Sequence, residues 1–213
     1  MLSLLAFGGP RRFLSLTAIS LRFVSLNDSD LRHIQHLPSL QKLYLVCNGI
    51  GNEAVFLLTS LRHTLTNLEL AMNPRIDDDA VPVLIIMDKL TYLALGDTGI
   101  TMVGLRRMAA AITEENRIVD MEIPACCSEY IDNMHNLYIV FPTAPLTMDP
   151  DACESLTDEA LRRNLAAHAE VNPDIIATGT RKEMVGRLRA LLELRRQDLV
   201  VSELVIGEED DDM

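Results

Sequence analysis

The sequence predicts an α/β fold: a short solenoid of about five strand–helix repeats, followed by a small C-terminal helical hairpin. Three observations carry the prediction. A pattern Leu-x-x-Leu-x-Leu-x-x-(Asn/Thr) starts at Leu40, Leu65 and Leu90, each copy 25 residues after the last. Between the copies the apolar residues switch to helical spacing. The composition, 48% hydrophobic but only 4% aromatic and without Trp, suits a core of aliphatic side chains in regular layers.

The three clear copies run Leu40-Gln-Lys-Leu43-Tyr-Leu45-Val-Cys-Asn48, Leu65-Thr-Asn-Leu68-Glu-Leu70-Ala-Met-Asn73 and Leu90-Thr-Tyr-Leu93-Ala-Leu95-Gly-Asp-Thr98. Two weaker copies flank them: Leu21-Arg-Phe-Val24-Ser-Leu26, with Ser29 at the last position, and Ile118-Val-Asp-Met121-Glu-Ile123, with Cys126 there. In each Leu-x-Leu the two leucines point to one side of a strand, into the core, and the residue between them faces out. Asn48 and Asn73 fall where the chain leaves the strand, where a carboxamide satisfies backbone groups that the turn would otherwise bury unpaired. Thr98, Ser29 and Cys126 do this only in part, so the ladder is expected to weaken toward its ends.

Helical spacing follows each strand. Residues 52–61 place Val55, Phe56 and Leu58 inward. Residues 77–88 place Ala80, Val81, Val83, Leu84 and Met87 inward behind an acidic first turn that suits the helix dipole, with Pro82 where its missing N–H costs little. Residues 101–115 repeat this with Val103, Leu105, Met108 and Ile112. Residues 128–141, with Tyr130, Ile131, Leu137, Tyr138 and Phe141, are expected to seal the last repeat. Units of this size stack into a curved array with a parallel sheet on the concave side.

These repeats resemble the leucine-rich-repeat family, of the longer helix-bearing type typified by ribonuclease inhibitor, over roughly residues 20–140. The resemblance implies a protein-binding platform whose concave strand residues make the contacts. Strand alternation puts Phe23, Lys42, Tyr44, Glu69, Tyr92, Asp120 and Glu122 on that face. An aromatic lane of Phe23, Tyr44 and Tyr92 beside these carboxylates is suited to a basic protein partner.

Pro142, Pro145 and Pro150 mark residues 142–153 as a linker. A helical unit is expected over 154–199. Thr157 or Ser155 caps a first helix bearing Leu156, Leu161 and Leu165, which Asn172-Pro173 ends. Thr178-Gly179-Thr180 opens a second helix with the stripe Met184, Leu188, Leu191 and Leu192. Leu156-Thr-Asp-Glu-Ala-Leu161 and Gly179-Thr-Arg181-Lys182-Glu-Met184-Val-Gly-Arg187-Leu188 resemble the two halves of a SAP motif. The span between the halves is about five residues longer than that family's. The resemblance implies contact with a DNA backbone through Thr178, Gly179, Thr180, Arg181, Lys182 and Arg187. Against it, residues 154–200 hold eight basic and eight acidic side chains, so no net positive field supports the binding.

The repeat domain is thus placed at 21–141. Residues 1–27 contain Arg11, Arg12 and Arg22, four serines and no acid, and residues 1–20 read either as an N-terminal cap or as a mitochondrial presequence. Residues 200–213 end in the acidic run Glu208 to Asp212, expected to be a solvating tail. The net charge of −12 argues against a general pull toward nucleic acid or anionic lipid. Four cysteines without CxxC spacing suggest a reducing, intracellular setting in the nucleus or cytoplasm. No nucleotide, hydrolase or zinc-protease motif occurs. Asp77-Asp78-Asp79 lacks the Gly and Glu of a calcium loop. The expectation is a non-catalytic chain without cofactor or metal.

Overall fold

A computed structural model describes residues 13–206. Of the segment 1–20 expected as a cap or presequence, residues 1–12 lie outside the described residues, as does the acidic run from Glu208 to Asp212, while the segment's last three residues form a strand. The chain divides into two compact units, one of residues 13–128 with 201–206 and the other of residues 129–200.

Five short strands form one sheet in the first unit: β1 (Ala18–Ser20), β2 (Lys42–Tyr44), β3 (Asn67–Glu69), β4 (Tyr92–Ala94) and β5 (Asp120–Glu122). They lie in sequence order and every neighbouring pair is parallel. The register aligns Ile19, Leu43, Leu68, Leu93 and Met121 in one inward row. Leu45, Leu70 and Leu95 form the next row and Leu40, Leu65 and Leu90 the one before, all buried.

The first strand lies five residues upstream of its expected place. Ile19, not Val24, pairs with Leu43, so the first copy is Leu16-Thr-Ala-Ile19-Ser-Leu21 and its ladder position is held by Val24. Phe23 therefore leaves the strand. It sits in the following turn at φ 59°, and the outward positions of the first rung belong to Ala18, Ser20 and Arg22.

Helical segments return the chain to the next strand. α1 (Asn52–Leu57) runs into a 3-10 turn at Leu58–Leu61; a 3-10 turn at Asp78–Ala80 leads into α2 (Val81–Ile85); α3 (Met102–Glu114) is the longest of the three. The inward residues are Ala54, Val55 and Leu58, then Ala80, Val81, Leu84 and Met87, then Met102, Leu105, Met108 and Ile112. Phe56 and Val103, expected inward, are exposed. α1 is too short to hold the full apolar arc of a regular helix, and Ala54 takes the inward place beside Val55. In α3 the capping residue Thr101 turns Met102 rather than Val103 inward.

Two polar ladders tie the rungs together. Asn73 Oδ1 accepts the backbone N–H of Asn48, Gly49 and Ile50 at 3.0, 2.9 and 3.3 Å, and Asn73 Nδ2 donates to the carbonyls of Leu45, Leu70 and Ala71. Asn48 repeats this one rung earlier, accepting from Val24 N and donating to Leu21 O. Thr98 donates only to Leu95 O within its own rung, so the ladder weakens there. Among the described residues, the side chains of Ser29 and Cys126 make no such bond. The second ladder uses acids at the helix starts. Asp28 accepts from Gly51 N, Asp77 and Asn52 bond each other, and Asp78 accepts from both the N–H and the hydroxyl of Thr101. Each carboxylate or amide thus answers backbone donors that an isolated helix start leaves open.

The division between the units falls at Ser128/Glu129, within α4 (Ala125–Asp132), earlier than the expected end of the repeats at 141. In the second unit, α5 (Asp158–Val171) is capped by Thr157, whose hydroxyl accepts from Ala160 N, and ends at Asn172. α6 spans Arg181–Ile206, past the expected end of the helical unit at 199 and into the expected tail, and its residues 201–206 are counted with the first unit. Cys153, Leu161, Leu165, Met184, Leu188 and Leu192 form their common core, with Leu156 and Leu191 packed against it.

The expected linker, residues 142–153, and the residues just before it are tied to α5 and α6. Ile139 N donates to His168 Nδ1 at 3.0 Å, Thr147 N to Asn164 Oδ1 at 2.8 Å, and Arg195 Nε to Val140 O at 2.7 Å. Tyr138 OH donates to Asp198 at 2.7 Å and Tyr130 OH to the same oxygen at 3.0 Å. Asn164, His168, Arg195 and Asp198 are all buried, so the two helices hold this segment with polar side chains where a plain hairpin would bury apolar ones. Phe141, expected in the seal, is exposed.

Candidate functional site

The outward face of the sheet is built by strand alternation. Between each pair of buried leucines one side chain projects away from the core, and the parallel register sets these side chains side by side on successive rungs. Lys42 and Tyr44 come from β2, Asn67 and Glu69 from β3, Tyr92 and Ala94 from β4, Asp120 and Glu122 from β5. Six of the seven residues expected on this face are there; Phe23 is not.

Several of the charges are already engaged with one another. The Arg22 guanidinium stands 4.8 Å from the centre of the Tyr44 ring and donates to Glu69 Oε2 at 2.5 Å, so it bridges the first and third rungs over the second. The Tyr92 hydroxyl donates to Glu122. That hydrogen bond, with some burial and the charges of Glu122, Glu69 and Asp120, pushes the Tyr92 phenol up to about 12. Ala94 lies in register between Glu69 and Glu122 and is covered. Lys42 and Asp120 are exposed. Tyr44 and Tyr92 therefore stand beside Glu69, Asp120 and Glu122 without Phe23, and Glu69 and Glu122 are partly satisfied from within. Arg22 is the functional candidate that the sequence alone did not supply, because the slipped first register hid its outward position.

The six residues expected to meet DNA gather at the start of α6. Thr180 and Glu183 cap it reciprocally: the Glu183 carboxylate accepts the Thr180 N–H and hydroxyl, which holds that carboxyl below its usual range. Gly179 has φ 137°, and a Cβ there would stand 2.8 Å from both Arg187 and Glu183. Arg187 donates to Thr178 O; Arg181 donates to Asp158 and to Glu154 O; Lys182 is exposed. The helix start thus carries a carboxylate where a phosphate would sit, and two of its three cations have partners within the unit.

Elsewhere the chemistry is sparse. All four thiols are free. Cys127 is pushed up to about 12 by burial, with the neighbouring Cys126 adding to it, and the Cys153 thiol is also raised by burial. Among the described residues no group of three or more His, Cys, Asp or Glu side chains is placed to hold a metal ion. No helix of the described residues is long and apolar enough to cross a membrane.

Residues 36–58 match the leucine-rich-repeat family model. That stretch contains β2, Asn48 and nearly all of the return through α1, a complete leucine-rich rung. The register then extends the same leucine-rich geometry to β1 on one side and to β3–β5 on the other. No curated relative matches the chain.

Proposed function

We propose that the chain is a non-catalytic protein-binding scaffold, a short leucine-rich-repeat solenoid of the ribonuclease-inhibitor-like type that grips a partner protein across its strand face. The observation that carries this reading is the outward face itself. Five strands in register present Arg22, Lys42, Tyr44, Glu69, Tyr92, Asp120 and Glu122 on a rigid base, and large amphipathic side chains on a fixed scaffold are what binding hot spots are made of. A basic partner suits the acidic balance of the face and of the chain. An intracellular setting agrees with four free thiols.

Photo-crosslinking in cells tests it. A crosslinking amino acid placed at Lys42, Asn67 or Asp120 should trap one protein species, and the same group at Arg107 on the helix side should not. Equal trapping from both faces, or none from the strand face, defeats the proposal.

A DNA-backbone role for the second unit stands behind this one. It rests on the likeness of residues 156–188 to a SAP motif, and the internal pairing of Arg181 and Arg187 works against it. A low-salt gel shift by the full chain that disappears in Arg181→Glu/Lys182→Glu would put the DNA reading first.

A further inference from the structure

One row of side chains runs along the edge of the sheet where the strands turn away. Phe23, Cys47, Met72 and Asp97 each immediately precede their rung's ladder position, and each has positive φ, at 59°, 54°, 59° and 54°. The backbone there is fixed by the stack: Phe23 N donates to Val46 O, Cys47 N to Ala71 O and Met72 N to Gly96 O, at 2.9, 3.0 and 2.8 Å. Equivalent residues therefore stand on neighbouring rungs, about 4.8 Å apart.

Left-handed backbone of this kind suits Gly, Asn and Asp, and penalises a bulky apolar residue. Asp97 is the type of residue the geometry favours. The three rungs before it carry Phe, Cys and Met instead, and burial does not explain the choice, because Phe23 is 68% and Met72 44% exposed. The turns that follow β1–β4 (residues 23–30, 47–53, 72–79 and 97–101) hold seven carboxylates against one cation, Arg75. Arg75 itself is engaged with Gly49 O and Asp28. The edge thus offers exposed apolar side chains within an excess of negative charge. On the strand face Arg22 is paired with Glu69 and Tyr92 with Glu122; in the turns Asp28 meets Arg75, while Asp77 and Asp78 accept from neutral backbone and side-chain donors, which leaves their charge in place.

We propose that this edge is the principal docking surface for a basic segment of the partner protein. Apolar side chains of that segment seat on Phe23, Cys47 and Met72, and its lysines or arginines meet the carboxylates of the adjoining turns. The inference rests on the protein-binding reading and narrows it to one rim of the sheet and one partner chemistry. Nucleic acid is excluded here by the sign of the charge; a cationic polypeptide is drawn in.

The probe is a short fluorescent peptide of alternating leucine and lysine, with a serine–lysine peptide as control, titrated against the full chain by anisotropy. Phe23→Asn and Met72→Asn place a residue suited to the left-handed backbone, so thermal melts should show both variants folded. Each should weaken the leucine–lysine peptide by about tenfold, the loss expected for one buried anchor. Arg107→Ser on α3 should leave the affinity unchanged, and the serine–lysine peptide should bind at least about tenfold more weakly than its leucine counterpart. Unchanged affinity in Phe23→Asn and Met72→Asn overturns the inference. If Tyr44→Ser and Asp120→Asn weaken the peptide instead, the edge fails and the strand-face reading stands. If the leucine–lysine peptide does not bind at all, the edge again fails, while crosslinking from Lys42 or Asp120 still judges the broader proposal.

Discussion

Asn73 Oδ1 accepts the backbone N–H of Asn48, one rung behind it, at 3.0 Å, while Asn73 Nδ2 donates to Leu45 O in that same rung at 2.9 Å. One fully buried carboxamide thus serves as acceptor and donor across the same boundary. Asn73→Ala would strip partners from the N–H groups of residues 48–50 and from buried carbonyls together, at about 1–3 kcal/mol for each group left unsatisfied. The expected loss is about 3–5 kcal/mol, among the largest for a single substitution. Thr98→Ala, which removes one bond inside a single rung, should cost about 1 kcal/mol. Urea unfolding of the two variants reads the difference; equal losses would mean that the carboxamide does not bridge the rungs.

Gly104 shows how closely the second ladder is fitted. A Cβ at this position would lie 2.2 Å from Asp78 Oδ1, the atom that accepts from Thr101 N. Gly104→Ala must push the carboxylate away from Thr101 and open the start of α3, at a cost of about 1–3 kcal/mol. In an Asp78→Ala background the clash with the carboxylate is gone and Val81 Cγ2 at 3.1 Å remains as a close neighbour, so the same substitution should cost less. A double-mutant cycle in urea measures this coupling, and simple additivity would refute the arrangement.

The rungs β2–β4 were legible because leucine spacing, strand alternation and the Asn position all agree. β1 was not, because Leu16-x-x-Ile19-x-Leu21 and Leu21-x-x-Val24-x-Leu26 both fit the pattern in a leucine-rich stretch, and neither carries Asn at the ladder position. Repeat spacing decides between them: Ile19 lies 24 residues before its partner Leu43, close to the interval of the other copies. That slip placed Phe23 on the strand and concealed Arg22. The bridge from Arg22 to Glu69, 47 residues apart in sequence, follows only once the register is known.

In the second unit the apolar stripes of α5 and α6 were readable, and the buried polar side chains were not. A polar residue on a helix is by default solvated. Asn164 and His168 share one face at i, i+4, and Arg195 and Asp198 share another at i, i+3, but only the path of residues 137–150 makes those faces inward. The prolines that suggested a linker shape a segment whose backbone is held by Asn164, His168, Arg195 and Asn172, while Asp198 holds it through the Tyr138 hydroxyl.

His168 makes the second unit sensitive to acid. Its Nδ1 accepts from Ile139 N, so the neutral ring carries its proton on Nε2, and a second proton would face that N–H. Burial, with the nearby Arg195 charge adding to it, holds the imidazole below its ordinary value of 6.5. The unfolded ring therefore takes up its proton first as pH falls. The stability contributed by the neutral ring is complete above pH about 6.5 and is lost as pH falls through the lower folded value. His168→Asn keeps an acceptor at the Nδ1 position without titrating. Melting curves should show wild type losing stability below that pH more steeply than the variant, and parallel curves would rule the mechanism out.

Tyr92 makes the opposite test on the strand face. Its phenol is pushed up to about 12, first by the hydrogen bond it donates to Glu122 and then by burial and the surrounding carboxylates. The unfolded phenol ionises near its ordinary value of 10.0, so stability from the bond is present below that pH and is lost as pH rises through the folded value. Glu122→Gln keeps an acceptor but removes the charge, and Tyr92 should then ionise closer to its ordinary value. Ultraviolet difference titration, with Tyr92→Phe identifying the component that belongs to this ring, measures the change. A Tyr92 transition that stays where it was in Glu122→Gln would mean that the two side chains are not bonded across β4 and β5, and the face would then present Glu122 unengaged to a basic partner.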